Sequence, residues 1–422
     1  MLNKSIAILI VFTSIIYYAC NVNDPEVLAI DGINIEHGTL FSSIDRKNFN
    51  SSLPSERRGM IMEFVGEWLA AEEAIKFGKE LTDIENNAVI SFRNQLIISS
   101  VINNQIKPSV QDDSTVTAVR EATGIDRHIK EIIIFHDLSK GYTVKQNPQE
   151  AKKIANSAVK RIRSNNISFE EAVSIYSAMP IMKLRKGSIG ILKYGKYPKH
   201  YNDAVWYIPE DSIIGPIKTD FGFHIVQAGA VEYVENKKSA AQMEKEISGG
   251  KYGVLKEAVD GFSRNMRSAY NSDLDSLSII ELWNKIVLDL DYTNQPFSAL
   301  ATINHGKPLG HIGNDSLSLD WFIEQSYRHA QISNSSIYSP YALLINCSDI
   351  LNRFLTVRWA EKNNDIYNDK MKLKVQAFQR NLLKNAYVES KIDMNLSLTE
   401  AVVLNRLVQE HAIKINDKFI SQ

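Results

Sequence analysis

Apolar positions recur at helical spacing over residues 58–78, at Met62, Val65, Leu69, Ile75 and Phe77, and Gly78 stands where a helix C-cap is wanted. Leu81-Thr82-Asp83-Ile84-Glu85 then opens a second helix that runs to about residue 106, and Pro108 with the polar run 111–115 breaks it. Upstream, residues 27–35 alternate as two short strand-like pieces around Asp31-Gly32, a strong hairpin signal because both turn positions favour positive φ.

The pattern changes in the middle of the chain. Residues 129–135 form an apolar strand, Pro148 opens a helix that ends at Arg163, and Ser168 caps a shorter one. A second strand begins at Lys186-Gly187, residues 201–206 read as a short helix, and 213–217 and 224–227 read as two further strands. The order βααβαββ predicts a small α+β domain with an antiparallel sheet. Residues 237–271 read as a connecting helix broken at Gly249-Gly250.

The helical pattern then returns. A shift of 286 positions carries Ala74, Phe92, Leu96 and Ile106 onto Ala360, Phe378, Leu382 and Ile392, and a shift of 281 carries Gly32 onto Gly313. The sequence of turn, helix and helix repeats with it, which predicts two similar halves forming a cradle around the mixed segment. The expected partition is a leader over 1–19, a helical domain over 20–122, the α+β domain over 123–235, a connector over 236–290 and a second helical domain over 291–422.

Composition narrows the chemistry. With 48 Lys and Arg against 49 Asp and Glu, the net charge of −1 gives no electrostatic footprint for nucleic acid. Two cysteines exclude a disulfide scaffold and a multi-cysteine metal site, and His128 with His136 lacks further ligands at useful spacing, so neither metal nor cofactor is expected. Residues 1–4 are short and basic, 5–19 are uncharged and mostly apolar, and Cys20 follows Ala19 at once, the layout of a cleaved signal peptide. Ala19-Cys20 resembles a bacterial lipobox, which implies a membrane anchor through lipid on Cys20. Cys347, set among Leu343, Leu344 and Ile345, is expected to be a buried small hydrophobe.

Four ordered blocks carry a resemblance. Residues 169–177, Gly187-Ser-Ile-Gly190, residues 195–204 and residues 215–226 are similar to successive blocks of the parvulin-type peptidyl-prolyl isomerases. The flanking helical regions and the leader make the chain resemble extracytoplasmic folding factors of the SurA and PrsA kind. That likeness implies a bacterial envelope location outside the cytoplasm, and unfolded exported polypeptides and proline-containing peptides as partners. It also implies an aromatic proline pocket at Tyr197, Tyr201, Trp206 and Phe221, over a polar cluster containing His224 and Thr219. The family's first histidine falls on Ile133, or on His128 in another register, and its Cys or Asp falls on Met179. With two polar members replaced by apolar residues, the resemblance implies a folding factor of weak or degenerate isomerase activity. A fully active isomerase and a non-catalytic envelope lipoprotein docking one partner are the alternatives.

Overall fold

The computed structural model describes residues 27–421 apart from 143, 290–294 and 364–365. The leader and Cys20 lie outside the described residues. Contacts divide the chain into two compact units, residues 1–89 with 368–422, and residues 90–367. The units therefore do not follow the linear order of the segments, and the reason is an exchange between the two repeats.

In the first unit, Asp31 and Gly32 take φ of 50° and 80°, so the Leu28–Ile30 and Ile33–Ile35 strands close as a tight hairpin. The third strand of this sheet is Ile413–Ile415, antiparallel to Leu28–Ile30, from the far end of the chain. The Asp31 carboxylate fixes the join by accepting the Ala412 N–H at 2.8 Å. The Pro54–Lys76 helix buries Ile61, Phe64, Val65 and Leu69 against Leu383, Tyr387 and Val388 of the Asp369–Met394 helix, and against Val403 and Leu407 of Glu400–Glu410. Gly66 faces that last helix, where an added Cβ would come within 3.1 Å of Leu404 Cβ, so a side chain here would press the two helices apart by a few tenths of an ångström.

The helical part of the second unit repeats the plan. The Gly310–Ile312 and Asp315–Leu317 hairpin turns at Gly313, and its third strand, Ser272–Leu274, again comes from outside the repeat. The Pro340–Lys362 helix has the same length as Pro54–Lys76, 23 residues, at a shift of 286, and the next helices begin at Asp83 and Asp369 with the same shift. Ile97, Val101 and Ile106 from the first repeat's second long helix pack with Val357 and Ala360 of Pro340–Lys362. The duplication is thus reciprocal. Each repeat's second long helix, and the helix-strand-helix tail that follows it, complete the core and sheet begun by the other repeat. The first tail is Val254–Ala269, Ser272–Leu274 and Ser276–Asp289; the second is Glu400–Glu410, Ile413–Ile415 and Asp417–Ser421. Cys347 lies fully buried in this second core, where burial pushes its thiol pKa well up.

Between the first repeat and its tail sits the mixed α+β domain, part of the second unit. Its antiparallel sheet runs in the order Ser188–Lys193, Ile125–Ile134, Gly222–Tyr233, Ile213–Thr219. Pro148–Arg163 and Phe169–Tyr176 begin with capping boxes at Asn147 and Ser168, and a short Pro180–Leu184 helix that the pattern did not signal follows them. Period-two alternation sorts the two central strands by face. Ile132, Ile134, Phe223 and Ile225 pack under Ala151, Ala155 and Ala158 of Pro148–Arg163. Val226 and Ile129 pack on the opposite face, with Tyr201, Val205 and Trp206 of the Lys199–Trp206 helix.

The exchange predicts how a nicked chain behaves. With a protease site placed between Asp289 and Gln295 and cut after folding, the two pieces should stay together on gel filtration and part only in denaturant. Separation under native conditions would contradict the reciprocal arrangement.

Candidate active site

The site grows from one strand position. Glu131 stands in the run Ile129-Lys-Glu-Ile-Ile-Ile-Phe135, and alternation points it to the same face as Ile129, Ile133 and, on the neighbouring strand, His224. It is 1% exposed and His224 is fully buried, so each must find partners inside the protein. His224 Nδ1 lies 2.6 Å from Glu131 Oε1, and the Tyr201 hydroxyl donates to that same oxygen at 2.6 Å. A carboxylate only accepts, so the His224 proton on this side sits on Nδ1. On the other side of the ring, Nε2 lies 2.6 Å from Thr219 Oγ1, which itself accepts the Phe221 N–H at 3.1 Å.

Aromatic rings close the site from the helix side. Tyr197 stacks on Tyr201 with centroids 4.5 Å apart and planes at 20°, and Tyr201 meets His224 edge to face at 5.1 Å. Burial, and after it the nearby Glu131, holds both tyrosine hydroxyls protonated far above the ordinary phenol range.

The expected site residues are distributed unevenly around this cluster. His224, Thr219, Tyr197 and Tyr201 come together. Ile133 lies directly across the ladder from His224, yet the side chain that touches the imidazole is Glu131, two residues earlier and diagonal to it. The polar network is therefore completed by a residue that the apolar alignment of the strand passed over. His128, the other register, is on the surface, with Nε2 2.6 Å from Glu232 Oε1. Met179 precedes the Pro180–Leu184 helix as its N-cap and brings no hydrogen-bonding group beyond its backbone.

Two of the expected proline-contact residues are covered. Trp206 is fully buried and donates its indole N–H to Ala122 O at 2.9 Å, with Tyr194 packed edge-on at 5.1 Å. Tyr201 is fully buried beneath Tyr197. In this arrangement the indole has a core partner to satisfy, and Tyr197 occupies the space above Tyr201. The aromatics left at the surface are Tyr197, in part, and Phe221, at 37% exposure, with Lys140 Nζ 5.5 Å from the Phe221 ring. His136 stays apart from the cluster; burial, with Lys218 nearby, holds its pKa down at about 4. Among the described residues, no group of three or more His, Cys, Asp or Glu is placed to hold a metal ion.

The arrangement has relatives. The family model for the rotamase, a PPIC-type PPIASE domain, matches residues 133–230. Foldase protein PrsA 1 of Bacillus cereus is 24% identical over 121 residues, 28% of this chain and 42% of that protein. Chaperone SurA of Idiomarina loihiensis is 30% identical over 99 residues, 24% of this chain and 23% of that one. This chain thus spans less than half the length of either curated relative. Among solved structures, the SurA-like chaperones PEB4 and Cj1289 of Campylobacter jejuni align over 57% of this chain and 96% of theirs, at 17% identity and a TM-score of 0.25. Residues 133–230 thus carry a PPIC-type rotamase domain, and over part of its length the chain is similar to PrsA foldases and SurA chaperones.

Proposed function

We propose that this chain is an extracytoplasmic folding factor that holds unfolded exported polypeptides and isomerises prolyl bonds only weakly. The observation that carries the reading is the fully committed network under the aromatic wall. Prolyl isomerisation breaks no bond; the imide must pass a twisted state about 18–20 kcal/mol above the ground state. A site accelerates it by drying the imide and by offering groups that bind the twisted form better than the planar one.

Here the polar groups of the cluster face one another. The Tyr201 hydroxyl and His224 Nδ1 both point at Glu131, and Thr219 is bound between His224 Nε2 and the Phe221 N–H. The bonded atoms of that set are engaged with one another, which leaves shape and desolvation as the main means of catalysis. This supports weak turnover. Kinship with PrsA and SurA supports the chaperone side of the proposal and a place in the bacterial envelope, and the lipobox-like Ala19-Cys20 supports attachment there through lipid on Cys20. The clients would be unfolded exported chains, with proline-containing segments entering the rotamase domain.

Two measurements test this. The whole mature chain should suppress aggregation of a denatured client at near-stoichiometric amounts, while speeding cis/trans exchange of a proline tetrapeptide by no more than about tenfold, or 1.4 kcal/mol of barrier. Fast exchange with no suppression would reverse the assignment, and capture of one tight partner with neither activity would favour a docking lipoprotein.

The network itself sets a second expectation, read by denaturant melts. Glu131→Ala strands His224 Nδ1 and the Tyr201 hydroxyl in the core and should destabilise the domain by about 3–5 kcal/mol, the usual cost of breaking a buried pair from one side. Glu131→Gln keeps an acceptor and should cost less, about 1–3 kcal/mol. Equal stability of wild type and Glu131→Ala would show that the network holds nothing together.

A further inference from the structure

We propose that Tyr197 is a lid over the rotamase pocket, held shut by a strap from the connector at residues 250–253, so that substrate reaches the pocket floor only after Tyr197 swings out. The proposal deepens the functional reading above and rests on it for the nature of the ligand.

The lid is visible in the layering. His224 and Tyr201 are fully buried, whereas Tyr197, stacked 4.5 Å above Tyr201, is the outer and partly exposed ring. A ligand approaching His224 from the Tyr201 side meets Tyr197 first. In the closed position the Tyr197 ring stacks on Tyr201 and stands edge-on to the His224 ring, with centroids 6.4 Å apart.

The loop that carries the lid is clasped from outside. Gly195 has φ of +88°, and a Cβ there would fall 2.7 Å from Tyr252 Cα, so the two backbones abut. Gly250, Tyr252 and Gly253 take φ of 92°, 65° and 71°, which folds a tight strap between Ala240–Ser248 and Val254–Ala269. Left-handed backbone at a residue with a side chain, as at Tyr252, persists only where its surroundings enforce it. Those surroundings are Glu246 and Lys238: the Tyr252 hydroxyl bonds the Glu246 carboxylate and accepts from Lys238 Nζ at 2.9 Å. Gly253 presses on the start of the helix that bears Tyr201, where a Cβ would lie 3.3 Å from Lys199 N and 3.7 Å from Lys199 Cβ. At the next residue of that helix, His200 Nδ1 lies 3.6 Å from Glu257 Oε2 of Val254–Ala269. The lid loop, residues 194–199, is therefore fastened at both ends to the connector that also carries the strand completing the second repeat's sheet.

The test reads access to His224 in the whole chain and needs no turnover. Diethyl pyrocarbonate labelling, resolved to His224 by peptide mass spectrometry, is compared for wild type, Tyr197→Ala and Tyr197→Phe. Removing the ring should speed labelling by about tenfold or more, because reactivity scales with the open fraction, while Tyr197→Phe stays near wild type. Proline-peptide exchange, measured in parallel, should rise with Tyr197→Ala. Labelling of Tyr197→Ala no faster than wild type overturns the lid. A rise in labelling with no exchange in any form keeps the lid and removes the isomerase reading. Should Tyr197→Ala fail to fold, Lys199→Cys with Gly253→Cys places two thiols at bridging distance. That variant should label His224 several-fold more slowly when oxidised than when reduced, and equal rates would overturn the strap.

Discussion

A carboxyl group in the middle of a packed sheet is stable only when other groups donate to it, and Glu131 meets that condition with His224 on one side and the Tyr201 hydroxyl on the other. Much of the rotamase domain's layout follows from this constraint. The Lys199–Trp206 helix must lie where Tyr201 can reach Oε1, the Gly222–Tyr233 strand must pair so that His224 is diagonal to Glu131, and Thr219 must hold the far side of the imidazole. The same contacts use up the polar groups that a catalytic floor would present. Stability of the network and strength of catalysis therefore pull against each other in such a site, and the proposed preference for holding over turnover rests on that tension.

The second organising feature is the reciprocal duplication. The first repeat and its tail are separated by the whole rotamase domain, whereas the second repeat joins its tail through residues 395–399 alone, between Asp369–Met394 and Glu400–Glu410. The rotamase domain thus interrupts the first repeat and not the second. Because the Val254–Ala269 helix both touches the rotamase domain at His200 and packs Leu255, Val259 and Phe262 with the Pro340–Lys362 core, the pocket and the second repeat share one structural element. Strain in that core would act on the same element that packs against the start of the Lys199–Trp206 helix.

Local signals in the sequence were read well where the interactions are local. Pro148 as the first helical residue, the Ser168 cap, the Asp31-Gly32 turn and the break at Gly249-Gly250 all depend on contacts within a few residues, and each stands in the structure where the pattern put it. The repeat was legible for the same reason, since both copies keep the same helical spacing. What the pattern could not supply was which copy each tail completes, because the pairing of Leu28–Ile30 with Ile413–Ile415 spans nearly the whole chain and leaves no trace in neighbouring residues. Glu131 was missed for a different reason. Aligning the strand by its apolar core put weight on Ile132 to Phe135, whereas alternation alone places residue 131 on the same face as 129 and 133, and a lone acid on the inward face of an apolar strand is the signal that was available. Burial of Tyr201 and Trp206 was likewise beyond reach, since it depends on how Tyr197 and Tyr194 stack over them.

The account stands or falls on the partner of His224. Nitrogen-15 NMR of the histidine side chains, with His224 assigned by substitution, reads which ring nitrogen carries the proton. The network predicts a proton on Nδ1 that exchanges slowly with water, and a shift of that signal in Glu131→Gln. A bare Nδ1 with the proton on Nε2, unchanged by Glu131→Gln, would contradict it.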